Sequence, residues 1–121
     1  MEELSRTIIE EYEGGIEELR KNRYKNSTIL LSKALFAVCD LIIYYKLKRL
    51  PKNHGERFKI LHNDFPEIYA VVDLLFAHYT DAYSKPILRE TCEDIKNGIT
   101  QIVRTNRVPK EIKALLEQEH N

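Results

Sequence analysis

His78, Asp81 and Lys85 follow one another at spacings of three and four, with Tyr83 between the last two. On a helix this spacing gathers an imidazole, a carboxylate and an ammonium on one side. Such a set could hold an anion and exchange a proton. Imidazole titrates near neutrality, and lysine supplies a point charge. The same spacing also describes an ordinary solvated helix face, so both readings stand. Asp40 is a second candidate. It lies seven residues after Lys33 in an otherwise apolar run, and the two share one narrow polar stripe of a helix. A carboxylate there is either buried and paired with a Lys or Arg, or turned into a functional cleft. Tyr79, beside His78, reads as a core residue.

Other chemistries find no support in the spacing. The histidines, His54, His62, His78 and His120, show no i,i+4 pairing, and Cys39 and Cys92 do not form a zinc-type pair. No metal site and no cofactor is therefore expected. The chain has no glycine-rich phosphate loop and no nucleophile elbow. Both cysteines fall on apolar helix faces and read as buried free thiols, with a disulfide or reactive thiol as the alternative. The first residues, MEELSRTIIEEYEGG, show no secretory pattern, and a cytoplasmic protein is expected.

The net charge is zero, but its distribution is uneven. Residues 1–18 carry seven Glu against Arg6, a net of −6. Residues 19–63 carry eleven Lys and Arg against Asp40 and Glu56, a net of +9. An anionic partner is one reading of that basic segment. The charges gather at its two ends: Arg20, Lys21, Arg23 and Lys25, then Lys46, Lys48, Arg49 and Lys52 with His54 close behind. The ends are about 33 Å apart along a helix, so they make two patches and not one groove. A solvated surface is the other reading.

The elements that must position these residues are all helical. The run STILLSKALFAVCDLIIYYKLK, residues 27–48, is apolar on nearly every face and predicts a central helix covered on several sides. Lys33, Asp40 and Lys46 within it argue for a core helix and against a membrane span. Before it, Leu4, Ile8, Tyr12, Ile16 and Leu19 make the stripe of a helix over 2–22, interrupted by Gly14-Gly15, where a kink or a close backbone approach is expected. Asn26 or Ser27 is expected to cap the central helix, which runs to about Arg49. Asn53 and Glu56 have capping-box spacing and open a short helix to about His62. Asp64, Pro66 and Glu67 open the next, with Ile68, Val72, Leu75, Tyr79 and Ala82 on one face. Pro86 is expected to start a long helix striped by Leu88, Cys92, Ile95, Ile99 and Ile102. After Val108-Pro109 a tail helix carries Ile112, Leu115 and Leu116. The whole is one domain over 1–121, all-α, an up-and-down bundle of four main helices plus short ones.

Two stretches carry a family resemblance. RYKNSTILLSKALFAVCDLIIYYKLKRLPKNHGERFKIL resembles the front half of a HEPN domain (higher eukaryotes and prokaryotes nucleotide-binding): a Tyr before a long Ala/Leu-rich helix, small residues at Ala34 and Ala37, then a basic loop with a His. LLFAHYTDAYSKP resembles that family's later signature, a helix ending in Tyr-Thr-x-Ala-Arg-Tyr. The resemblance covers about residues 16–104. It implies a helical bundle, usually dimeric, with a cleft between subunits, and often a small nucleotidyltransferase partner in a toxin–antitoxin pair. Other members are metal-independent ribonucleases that carry an Arg and a His separated by four to six residues. This chain departs from that motif. In Tyr79-Thr80-Asp81-Ala82-Tyr83 the family's Arg is missing, and no His follows within reach. Arg49 with His54 and Arg57 with His62 match the spacing elsewhere, in the wrong segment, and so short a motif recurs by chance.

The expectation is therefore a HEPN-like homodimer that binds a partner protein, a nucleotide or RNA. Asp40, His78, Asp81, Tyr83 and Lys85 would be the remnant of its cleft, and no residue would be catalytic. A metal-independent ribonuclease and a helical adaptor with no nucleotide role are the alternatives.

Overall fold

Why the chain folds around α2 (Tyr24–Leu47) follows from that helix's composition. Leu31, Ala34, Leu35, Val38, Leu41 and Ile43 are almost wholly buried on several sides of it. Leu35 and Ile42 are 1% and 6% exposed. By length and composition α2 could cross a membrane, but 72% of its apolar window is buried inside the protein, as a central bundle helix requires. The computed structural model describes residues 2–120, with side chains as far as Glu117; His120 thus lies outside the described side chains. Around α2 are α1 (Glu2–Arg20), α3 (His54–Asp64), α4 (Pro66–Asp81) and α5 (Arg89–Thr105), while α6 (Lys110–His120) packs on α1 and α5. Among the described residues there is no strand.

The α1–α2 seam is built from small residues. A Cβ on Gly15 would lie 2.7 Å from Leu31 Cγ and 3.2 Å from the Leu31 backbone nitrogen. Glycine here permits close approach; α1 runs through Gly14-Gly15 as one helix. Ser27 Oγ donates to the Gly15 carbonyl at 2.9 Å in the same buried seam.

Four boundaries differ from expectation, each for a local reason. α2 starts at Tyr24, with Arg23 as an N-cap that makes no side-chain bond, and not at an Asn26 or Ser27 cap. Asn22 takes a left-handed φ of 60°, with Asn22 N–H bonded to Leu19 O and Arg23 N–H to Glu18 O. This Schellman closure ends α1 and reverses the chain at once. The far end of α2 is Leu47, because Lys48 turns left-handed (φ 59°) and donates its N–H to Tyr44 O. Asp64 closes α3 and caps nothing; Phe65 alone separates α3 from α4, with Pro66 in α4's first turn. Finally, Pro86–Leu88 stays out of helix and α5 begins at Arg89, so Leu88 is 66% exposed and lies off the buried stripe of Cys92, Ile95, Ile99 and Ile102. The expected Asn53 cap is present: its side chain accepts from Glu56 N–H at 2.9 Å.

Candidate functional site

Asp40 breaks the apolar surface of α2 on the side facing α3. The 48–53 loop returns the chain beside α2, and the Asn53 cap fixes where α3 begins. His54 and Arg57, one turn apart on α3, therefore face the same neighbour. Arg57 grips Asp40 with both arms: Nε donates to Oδ1 at 2.7 Å and Nη2 to Oδ2 at 2.9 Å. Its third arm, Nη1, lies 2.6 Å from His54 Nδ1. The guanidinium also sits 5.2 Å from the centre of the Phe36 ring. Arg57 is only 9% exposed. A buried arginine keeps its charge, so the carboxylate that neutralises it is a condition of its place there.

The geometry fixes the state of His54. Arginine has only donors, so Nδ1 must be the acceptor and the ring proton must sit on Nε2. Partial desolvation of its ring, and then the Arg57 charge, lower the pKa of His54; Asp40 opposes them. The imidazole meets Phe36 and Phe76 edge-on at 4.9 Å and 5.4 Å and lies tilted to Tyr79 at 5.9 Å. Tyr79 continues the cluster to Tyr83, whose hydroxyl lies 3.3 Å from its own. That hydrogen bond, then burial, then the charges of Tyr83 and Glu11 raise the Tyr79 pKa. Glu11 of α1 has its own pKa raised, first by burial and further by Glu10, against the pull of Lys33. The site thus joins residues from four helices, with the Asp40–Arg57–His54 chain at its centre.

The candidates named from the sequence are divided by the fold. Asp40 takes the paired reading, with Arg57. Tyr83 joins the aromatic cluster through Tyr79. His78 turns to α5, its Nε2 3.5 Å from Asp94 Oδ2. Lys85 and Asp81 form a surface pair at 3.4 Å. The proposed remnant cleft is therefore not one constellation. Tyr79 is half-buried and borders the site. The basic patch is divided as well: Lys46 lies 5.0 Å over the Phe65 ring and Arg49 is held by Glu56 at 2.6 Å, while Lys48 and Lys52 are exposed. His54 belongs to Arg57.

Neither literal Arg–His spacing is realised. Arg49 turns to Glu56, and His62 packs its ring on Tyr69 at 4.8 Å. Phe36, Phe76 and Glu11 carry no mark in the sequence, and Arg57 stands out there only for its chance spacing from His62, not as the partner of Asp40. The available signal for Arg57 was Asp40 itself, a carboxylate in an apolar run that needed a cation, together with the helical phase set by Asn53. Among the described residues no three His, Cys, Asp or Glu side chains gather as metal ligands would. Cys39 and Cys92 are buried free thiols. Burial and the Asp40 charge push the Cys39 thiol up to about 12, so it does not ionise near neutral pH. Cys92 Sγ donates to Tyr24 O at 3.4 Å and lies 3.3 Å from Thr28 Oγ1. Set against models of known families, curated proteins and solved structures, the chain matches none of them.

Proposed function

We propose that this chain is a HEPN-like helical bundle that binds a nucleotide, an RNA or a partner protein without cleaving it. In this reading it is a cytoplasmic homodimer that acts with a nucleotidyltransferase in a toxin–antitoxin type of system. The family part of the reading rests on the two resembling stretches, and the all-α bundle is in keeping with them.

One observation supports the non-cleaving part. A ribonuclease that works without metal needs a free cation at the scissile phosphate and a base with an open lone pair. Here the Arg57 charge is matched by Asp40, and the lone pair of His54 Nδ1 is occupied by Arg57. His54 Nε2 carries the ring proton and cannot accept a second one while that bond stands. Two of the five N–H groups of Arg57 are free of these bonds. They leave it able to bind an acceptor.

The adjacency of Arg57 and His54 favours the ribonuclease as the second reading, in which substrate would displace one of these contacts. The experiment is incubation of the purified protein with single-stranded RNA in EDTA. The RNA is expected to stay intact. Cleavage to 2′,3′-cyclic phosphate ends, abolished by His54→Ala or by His78→Ala, would overturn the non-cleaving reading and identify which imidazole does the work.

A further inference from the structure

His54 occupies an unusual place for a titratable group. It is the first residue of α3, it is exposed, and its ring closes one side of the Phe36, Phe76 and Tyr79 cluster. The charged and titratable groups that face it are few. Asp40 comes from α2, Arg57 from its own helix and Tyr79 from α4; Glu11 of α1 acts on Tyr79 behind them. Arg57 cannot lose its charge, and its Nε and Nη2 are fixed on Asp40, so it is not free to turn away. A proton on His54 Nδ1 would place two donors 2.6 Å apart with no acceptor between them. The side chain that must yield is the exposed one at the helix end.

We propose that His54 is a proton-operated latch: protonation at Nδ1 breaks its bond with Arg57, turns the ring off Phe36, Phe76 and Tyr79, and loosens the first turn of α3. Acidification then uncovers more of the Phe36, Phe76 and Tyr79 rings beside the Arg57–Asp40 pair. This holds whether or not the protein binds nucleotide, because it uses only contacts within the bundle.

The sign follows from the contacts. The folded protein disfavours the imidazolium, so the His54 pKa lies below its ordinary value of 6.5. The contribution of His54 to stability is complete above 6.5 and is lost as the pH falls from there through the lower folded value. Opening of α3 should increase about tenfold for each unit that separates the closed and open values.

The test is an NMR titration of the wild-type imidazoles with amide hydrogen exchange on the same samples, at about pH 7.5 and about pH 5. At neutral pH, His54 should show an unprotonated Nδ1 and a protonated Nε2, with a midpoint below 6.5. Protection of the amides of residues 56–60, corrected for intrinsic exchange, should fall on acidification while that of α1 and α2 holds. In His54→Gln, whose side-chain oxygen can still accept from Arg57, the loss should disappear. A protonated Nδ1 at neutral pH, a midpoint at or above 6.5, or an equal loss of protection in His54→Gln would each overturn the latch. The wild-type titration decides even if the variant does not fold.

Discussion

Along α2, two seams are held by opposite means. Against α1 the contact is dry: Gly15 lets the Leu31 side chain reach the backbone, and Ser27 spends its hydroxyl on the Gly15 carbonyl. Against α3 the contact is polar. A forked ion pair, an imidazole and the edges of aromatic rings do the holding. The first seam has one low-energy arrangement, because close-packed apolar surfaces tolerate little displacement. The second depends on protonation and on the balance of two buried charges, so conditions and ligands can shift it. The difference separates the part of the bundle that fixes its shape from the part that can respond.

The largest effect is expected in the dry seam. Leu31 is fully buried, and the residue opposite it has no side chain to move into a gap. Leu31→Ala should therefore cost about 4 kcal/mol, in the upper part of the range for buried leucines. Denaturant unfolding measures it. Adding Gly15→Ala should return part of the loss, since the new methyl enters the space that Leu31 vacates, and the two changes should be less than additive. Full additivity would mean the seam is looser than its distances state.

Next comes the polar seam. Asp40→Asn leaves the Arg57 charge nine-tenths buried without its carboxylate. Removing one partner of a buried pair costs about 3–5 kcal/mol, and the side chains here keep 11% and 17% exposure, so about 3 kcal/mol is expected. An apolar pair, Asp40→Leu with Arg57→Met, should recover most of that stability while removing the site. If Asp40→Asn costs under about 1 kcal/mol, the two seams do not differ as described and the pair behaves as a surface bridge.

Much of this contrast could be read in the chain, but only on one side of it. The apolar run of α2, the stripes of α1 and α5 and the Asn53 cap are local signals, and the helices appear where those signals lie. The dry seam was half legible, since Gly14-Gly15 suggested close approach without saying to what. The polar seam was not. Asp40 announced that it needed a cation, yet eleven Lys and Arg lie in the basic segment. The choice of Arg57 depends on the return of the 48–53 loop, whose first step is a left-handed Lys48 that no propensity foretells. His78, Asp81 and Lys85 have helical spacing, but α4 ends at Asp81, and spacing alone could not show that His78 faces α5 while Asp81 and Lys85 pair at the surface.

The smallest effect is expected on that last face, and it sharpens the contrast by its size. Lys85 and Asp81 stand 3.4 Å apart with side chains 66% and 38% exposed. Their attraction is screened by solvent, and holding two mobile side chains together offsets part of it. Asp81 is also the last residue of α4, where a carboxylate faces the negative end of the helix dipole, and Lys85 relieves that contact only in part. Lys85→Ala should thus change stability by less than about 0.5 kcal/mol, and about 1 M salt should erase the difference. Equilibrium unfolding at low and high salt reads both values. A cost above about 1 kcal/mol that survives in salt would give this face a weight comparable to the Asp40–Arg57 junction. The residues first singled out for their spacing would then have to be returned to the site.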